Sequence, residues 1–353
     1  MIGIEFLPRD VECDVAELGS FMSAIEAGLG VGAPVEAEAV RANARLQTGG
    51  RYVIIPSNPR NRASVSSLIA AQILRERLER AGGVLAQCEV VPTISGAGLC
   101  GEQGLARLTS ELLGVKYAGF GSVAIIGGES GASVRGVEVV RGGDKGVRGV
   151  EVAHGAINGI EGIALARQIL GGGVKIISGS SVEVGQEAAL KRLEAKLAAG
   201  ADHIITQPLF SQQRARAFMS EFERVRAACG SAARASLNIF GIFEENVARK
   251  INRARLGFRV EEAYMKAAFG SLGRGVLESG ELDSEALESS LLESGFSESG
   301  QDFESFAKSR AVGAFVALRE GLMQVAFECG ASVLLSSAKH NDRRVLAIFQ
   351  NLG

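Results

Sequence analysis

Two carboxylates stand where an apolar run gives way to a loop: Glu5 in "IEFLPRD" and Glu129 in "GGESG". A carboxyl held near another and away from water has a raised pKa, and it can deliver a proton at neutral pH. Each also has a purely structural reading, Glu5 as an arginine partner and Glu129 as a turn residue. A third group is Gln207 in "LAAGADHIITQPLF" (197–210), where a short apolar run closes on Thr206, Gln207 and Pro208. Burying a primary amide without a partner costs free energy, so a packed sheet has no use for one. A ligand edge that presents both a donor and an acceptor does, because an amide side chain offers one of each. Thr93 and Ser95 in "VVPTISG", Ser178, Ser180 and Ser181 in "VKIISGSS", Asn238, and Ser336 with Ser337 add polar groups at other strand ends. "GGESG" (127–131) lacks the Lys-Ser/Thr of a P-loop and the spacing of a dinucleotide fingerprint. His154, His203 and His340 are too scattered for a metal-ligand spacing, so no metal site is expected.

These groups need elements that bring strand ends together. Apolar runs at 2–6, 52–56, 84–94, 122–128, 174–179, 203–207, 235–243 and 332–337 read as strands. Amphipathic segments at 64–81, 101–113, 159–170, 186–199, 211–228 and 245–255 read as helices between them. Strands with continuous apolar character belong to a parallel sheet buried on both faces. Eight βα units favour a closed (β/α)8 TIM barrel, an α/β fold, over an open sheet, and in such barrels the site lies at the C-terminal strand ends. The whole chain, 1–353, reads as one domain. Two stretches interrupt the alternation: 130–156, an expected β-hairpin after strand four, and 270–305, a Ser/Glu-rich stretch of solvated helix and loop.

Composition narrows the function. A net charge of −2 gives no bulk electrostatic case for nucleic acid or an anionic membrane. No apolar run has the length of a transmembrane helix, and the N-terminus lacks the pattern of a signal peptide. The five cysteines are widely spaced with no C-x-x-C, which points to a reduced, cytoplasmic compartment.

"AKLAAGADHIITQPLF" resembles the strand-six signature of the methylenetetrahydrofolate reductases, flavin-dependent (β/α)8 barrels, and "IEFLPRD" resembles their first strand. "VVPTISG", "SVAIIGGESG", "ISGSSVEVGQEA" and "FGIF" follow that family's strands three, four, five and seven in order and spacing. The resemblance implies reduction of 5,10-methylenetetrahydrofolate to 5-methyltetrahydrofolate with FAD and a NADH or NADPH donor. That is one-carbon metabolism. It implies Glu5 as the acid that assists protonation at the folate nitrogen, and Gln207 and Glu129 as substrate contacts. It places Thr93, Ser95, Gly128, Glu129, Ser181 and Lys196 around the cofactor, with Lys196 at the flavin's phosphate portion.

The chain departs from that pattern at several of these positions. Strand four ends in Gly127-Gly128-Glu129, where the family has Arg-Gly-Asp, and strand three keeps only a hydroxyl of the family's His-x-Thr. A serine, Ser181, replaces the tyrosine beside the flavin ring, and Phe240-Gly241-Ile242-Phe243-Glu244 replaces Pro-Gly-Ile-x-Pro. Two readings follow: a divergent reductase, or a non-redox folate- or pterin-binding barrel that has lost flavin. The second would act alone or as a partner subunit, and a homo-oligomer is compatible with either. The carboxylate in an otherwise apolar first strand favours the enzyme.

Overall fold

The structure is a computed structural model. It describes residues 2–6, 51–57, 65–82, 85–96, 99–127, 157–181, 186–253, 258–270 and 310–337, together with Gly19. Eight strands close into one barrel in chain order, and every neighbouring pair is parallel. They are β1 Ile2–Glu5, β2 Arg51–Ile55, β3 Cys88–Ser95, β4 Ser122–Ile126, β5 Lys175–Ser180, β6 His203–Leu209, β7 Arg234–Gly241 and β8 Ser332–Ser337. The described helices are α1 Ser67–Ala81, α2 Gly101–Tyr117, α3 Gly159–Leu170, α4 Glu187–Ala198, α5 Gln212–Ala228, α6 Glu245–Arg253, α7 Glu262–Phe269 and α8 Arg310–Glu328. This is the (β/α)8 barrel that the alternation of the sequence predicts. The expected hairpin at 130–156 and the Ser/Glu-rich stretch at 270–305 lie outside the described residues, Gly270 apart.

Each strand buries both faces, which is why the sequence shows runs rather than alternation. Outward residues such as Ile4, Val53, Val90, Val123, Ile176, Ile204, Leu237 and Val333 meet the inner faces of the helices. Inward residues Tyr52, Ile54, Val91, Ala124, Ile177 and Leu334, with Ile205 against them, fill the barrel itself. The strand tilt of an eight-stranded barrel brings alternate strands to one height, four side chains to a layer. The pairing registers set these layers. At the N-terminal end lie Tyr52, Ser122, His203 and Ser332. Above them come Gly3, Val91, Ile177 and Ser236, and then the apolar layer Ile54, Ala124, Ile205 and Leu334. The next layer is Glu5, Thr93, Gly179 and Asn238.

The lowest layers hold a buried polar chain. Tyr52 Oη is 2.9 Å from Ser236 Oγ, which is 2.7 Å from His203 Nε2. All three are satisfied when Tyr52 donates to Ser236 and Ser236 donates to a neutral imidazole. The tyrosine ring also meets the imidazole edge-on, with centroids 6.2 Å apart. Gly3 makes room for this ring, since a Cβ on it would fall on the Tyr52 phenol. Gly3→Ala should therefore lower stability by about 1–3 kcal/mol, the usual cost of overfilling a packed interior. A urea unfolding curve reads this, and an unchanged midpoint would mean that Tyr52 moves aside freely.

Candidate functional site

The C-terminal mouth of the barrel is built on the layer that contains Glu5. Glu5 ends the short strand β1 and is half-buried. Thr93 is 4% exposed; its carbonyl accepts a hydrogen bond from Ser67 Oγ, which ties β3 to the start of α1. The Thr93 hydroxyl itself has no partner. In the ring of four odd strands, Gly179 stands opposite Glu5, and Asn238 stands opposite Thr93. A Cβ on Gly179 would meet nothing closer than the Ile205 carbonyl oxygen at 4.0 Å. The glycine therefore leaves open space on the side of the barrel opposite Glu5 rather than relieving a clash.

Strand β6 reaches this height through a bulge. Ile205 pairs with Ser236 and Pro208 with Asn238, so β6 spends three steps where β7 spends two. Proline lacks an N–H, and in the sequence Pro208 reads as the strand's end. The structure instead carries β6 through it to Leu209. At the bulge Thr206 Oγ1 accepts the backbone N–H of Asn238 at 2.8 Å. A side-chain oxygen thus stands in the ladder where the bulge displaces the strand. Gln207 is in the bulge, one position before Pro208, which pairs with Asn238. Its Oε1 is enclosed and has no hydrogen-bond partner. Asn238 is tied twice: its backbone N–H to Thr206, and its Oδ1 to the Ser336 hydroxyl, which donates at 2.6 Å.

Glu5, Thr93 and Gln207 are therefore brought together at one end of the barrel, as the sequence suggests. Ser95 and Ser181 stand beyond them at the ends of β3 and β5, and both are half-buried. Lys196 sits elsewhere. It leaves the last turn of α4 on the helical side of the sheet, and its ammonium donates to the Gly179 carbonyl. Burial, and then the Arg192 charge, lower its pKa to about 8. It is not an ordinary surface lysine, nor does it share the layer of Glu5. Gly128 and Glu129 lie outside the described residues. Asn238 and Ser336 are visible in the sequence as polar strand ends, but only the layering brings them to the mouth.

A shallow cleft between β5, α4 and α5 is lined by Ser180, Ser181, Leu190, Leu193, Phe218 and Glu221. Among the described residues, no group of three or more His, Cys, Asp or Glu is placed to hold a metal. No described helix is long and apolar enough to cross a membrane.

No protein-family model matches the chain, and no curated protein does. Among solved structures, the fold is similar to that of an uncharacterized protein from Clostridium thermocellum that binds two copies of 5-methyl-5,6,7,8-tetrahydrofolic acid. The TM-score is 0.53 over 100% of this chain and 94% of that one, at 11% sequence identity. At that identity, what the two proteins share is the barrel.

Proposed function

We propose that the C-terminal mouth binds the pterin ring of a reduced folate, and that the chain is a methylenetetrahydrofolate-reductase-like oxidoreductase. The observation that carries this reading is the pair of enclosed, unpartnered polar atoms, Thr93 Oγ1 in the layer of Glu5 and Gln207 Oε1 in the β6 bulge at the same end of the barrel. A buried polar atom without a partner costs about 1–3 kcal/mol, which a ligand edge would return. A pterin edge carries donors and an acceptor side by side, which suits an amide and a hydroxyl. The folate-binding barrel of similar fold supports the same ligand class.

In this reading Glu5 gives a proton to the folate nitrogen as the methylene group becomes methyl. The space left by Gly179 admits the ring beside the carboxylate. FAD, reduced by NADH or NADPH, would supply the hydride. The residues that would hold it are Thr93, whose hydroxyl lacks a partner, Ser95 and Ser181 at the ends of β3 and β5, and Gly128 and Glu129. Lys196, the residue for a phosphate, already gives one of its three N–H groups to the Gly179 carbonyl.

Calorimetric titration with 5-methyltetrahydrofolate tests the binding site. The parental protein should bind, and Gln207→Leu should bind more weakly by about 1–3 kcal/mol, the value of one or two lost hydrogen bonds. Unchanged affinity would remove Gln207 from the site, and no binding by the parental protein would overturn the reading. A flavin spectrum separates the reductase from a non-redox folate-binding barrel: a protein that binds folate but takes up neither FAD nor FMN is the latter.

A further inference from the structure

Asn238 is held through both its side chain and its backbone. The Ser336 hydroxyl donates to Oδ1 at 2.6 Å, and the Thr206 hydroxyl accepts the backbone N–H at 2.8 Å. Both Asn238 and Ser336 are buried. With the amide oxygen engaged, the end left to meet a ligand is Nδ2, which can only donate. No hydrogen bond joins Nδ2 to a described residue. Toward the same end of the barrel, Gln207 Oε1 and Thr93 Oγ1 are enclosed without partners, and the first of these can only accept. The mouth therefore combines a fixed donor on β7 with an unfilled acceptor on the neighbouring strand, one residue before Asn238's pairing partner Pro208. This pattern recognises a ring carbonyl adjacent to a ring N–H.

We infer that Asn238, oriented by Ser336, is the specificity-determining residue of this site and selects an oxo-substituted pteridine over its amino-substituted counterpart. The inference rests on the folate reading above. An oxo group accepts from Nδ2 and its neighbouring N–H gives to Gln207 Oε1. An amino group in place of the oxo group sets donor against donor, and both contacts are lost. Ser336 makes the choice one-way. Without its hydroxyl the amide can rotate by half a turn and offer oxygen instead.

The test compares binding of tetrahydropterin and 2,4-diaminotetrahydropteridine by calorimetry. The parental protein should prefer the oxo compound by at least about tenfold, since a buried donor left unpaired carries a penalty of that order. Asn238→Asp keeps shape and the Ser336 contact but turns the donor into an acceptor, and it should lose or reverse the preference. Ser336→Ala leaves Asn238 in place and should bind both compounds with the preference reduced. Melting curves of the variants accompany the titrations. If Asn238→Asp keeps the parental preference, Asn238 does not read the ligand, although the folate reading stands. If Asn238→Asp fails to fold, Ser336→Ala decides, and parental preference in that variant overturns the inference. If the parental protein binds neither compound, inference and folate reading fall together.

Discussion

Replacing Glu5 by Gln should slow reduction of 5,10-methylenetetrahydrofolate by a factor on the order of 10²–10⁴, the usual contribution of a positioned general acid. Gln keeps the size of the side chain and part of its hydrogen bonding, but it cannot release a proton. The position makes the expectation specific. Glu5 ends β1 in the layer of Thr93 and Asn238, and across the barrel from it is Gly179, which contributes no side chain to that layer. Oxidation of NADH or NADPH by the flavin-loaded variant should stay near the parental rate, because that half-reaction takes no proton from Glu5. Stopped-flow traces of the two half-reactions separate this role from a structural one. If Glu5 only braces β1, both half-reactions should slow together and the melting temperature should fall. Folate reduction at the parental rate would end its assignment as the acid.

Acid should cost this fold about 3 kcal/mol through one residue, His203. Its pKa is lowered from 6.5 to about 4, first by burial, then by the charges of Arg234 and Lys175, with Asp202 opposing. Above pH 6.5 the imidazole is neutral in both folded and unfolded chains, and the Tyr52–Ser236–His203 chain is intact. Between pH 6.5 and 4 the unfolded chain takes up a proton that the folded one refuses, so stability falls as the pH falls. The loss is complete below pH 4, where both forms are protonated. Urea unfolding at a series of pH values should show this slope, and His203→Gln should flatten it. A slope unchanged in His203→Gln would assign the acid sensitivity to carboxylates instead.

The barrel is legible in the sequence because every strand is buried on both faces and so appears as an uninterrupted apolar run. The errors lie where backbone geometry overrides hydropathy. The run at 84–94 begins too early, since Leu85–Gln87 forms a 3-10 turn before β3. The run at 203–207 stops too early, because Pro208 reads as a terminator, while in the structure the bulge carries β6 on to Leu209 and Thr206 Oγ1 accepts the Asn238 N–H. Helices α7 and α8 flank the Ser/Glu-rich stretch and are not singled out. Yet the buried Val312, Phe315, Leu318, Leu322 and Val325 of α8 carry a plain helical period.

At the site, Glu5, Thr93 and Gln207 stand out as polar groups in apolar runs. Asn238 and Ser336 do not gain a role that way. Their meeting depends on the stagger between strands, which one strand's sequence does not contain. Lys196 enters only through the family resemblance, and its place on α4, with its ammonium on the Gly179 carbonyl, is set by the helix rather than by any strand.

The bulge in β6 gives position 207 an unusual status. Everywhere else in the barrel a residue is committed by alternation to the interior or to the helices, so its size is a matter for the whole core. Gln207 is outside that rhythm. The strand resumes at Pro208 and Leu209 in step with Asn238 and Ile239, as though one residue had been skipped. A change of side chain at 207 therefore leaves the alternation of both shells in register. Such a site is a free variable of the scaffold, where what the mouth recognises can be retuned by a single substitution while the fold beneath remains as it was.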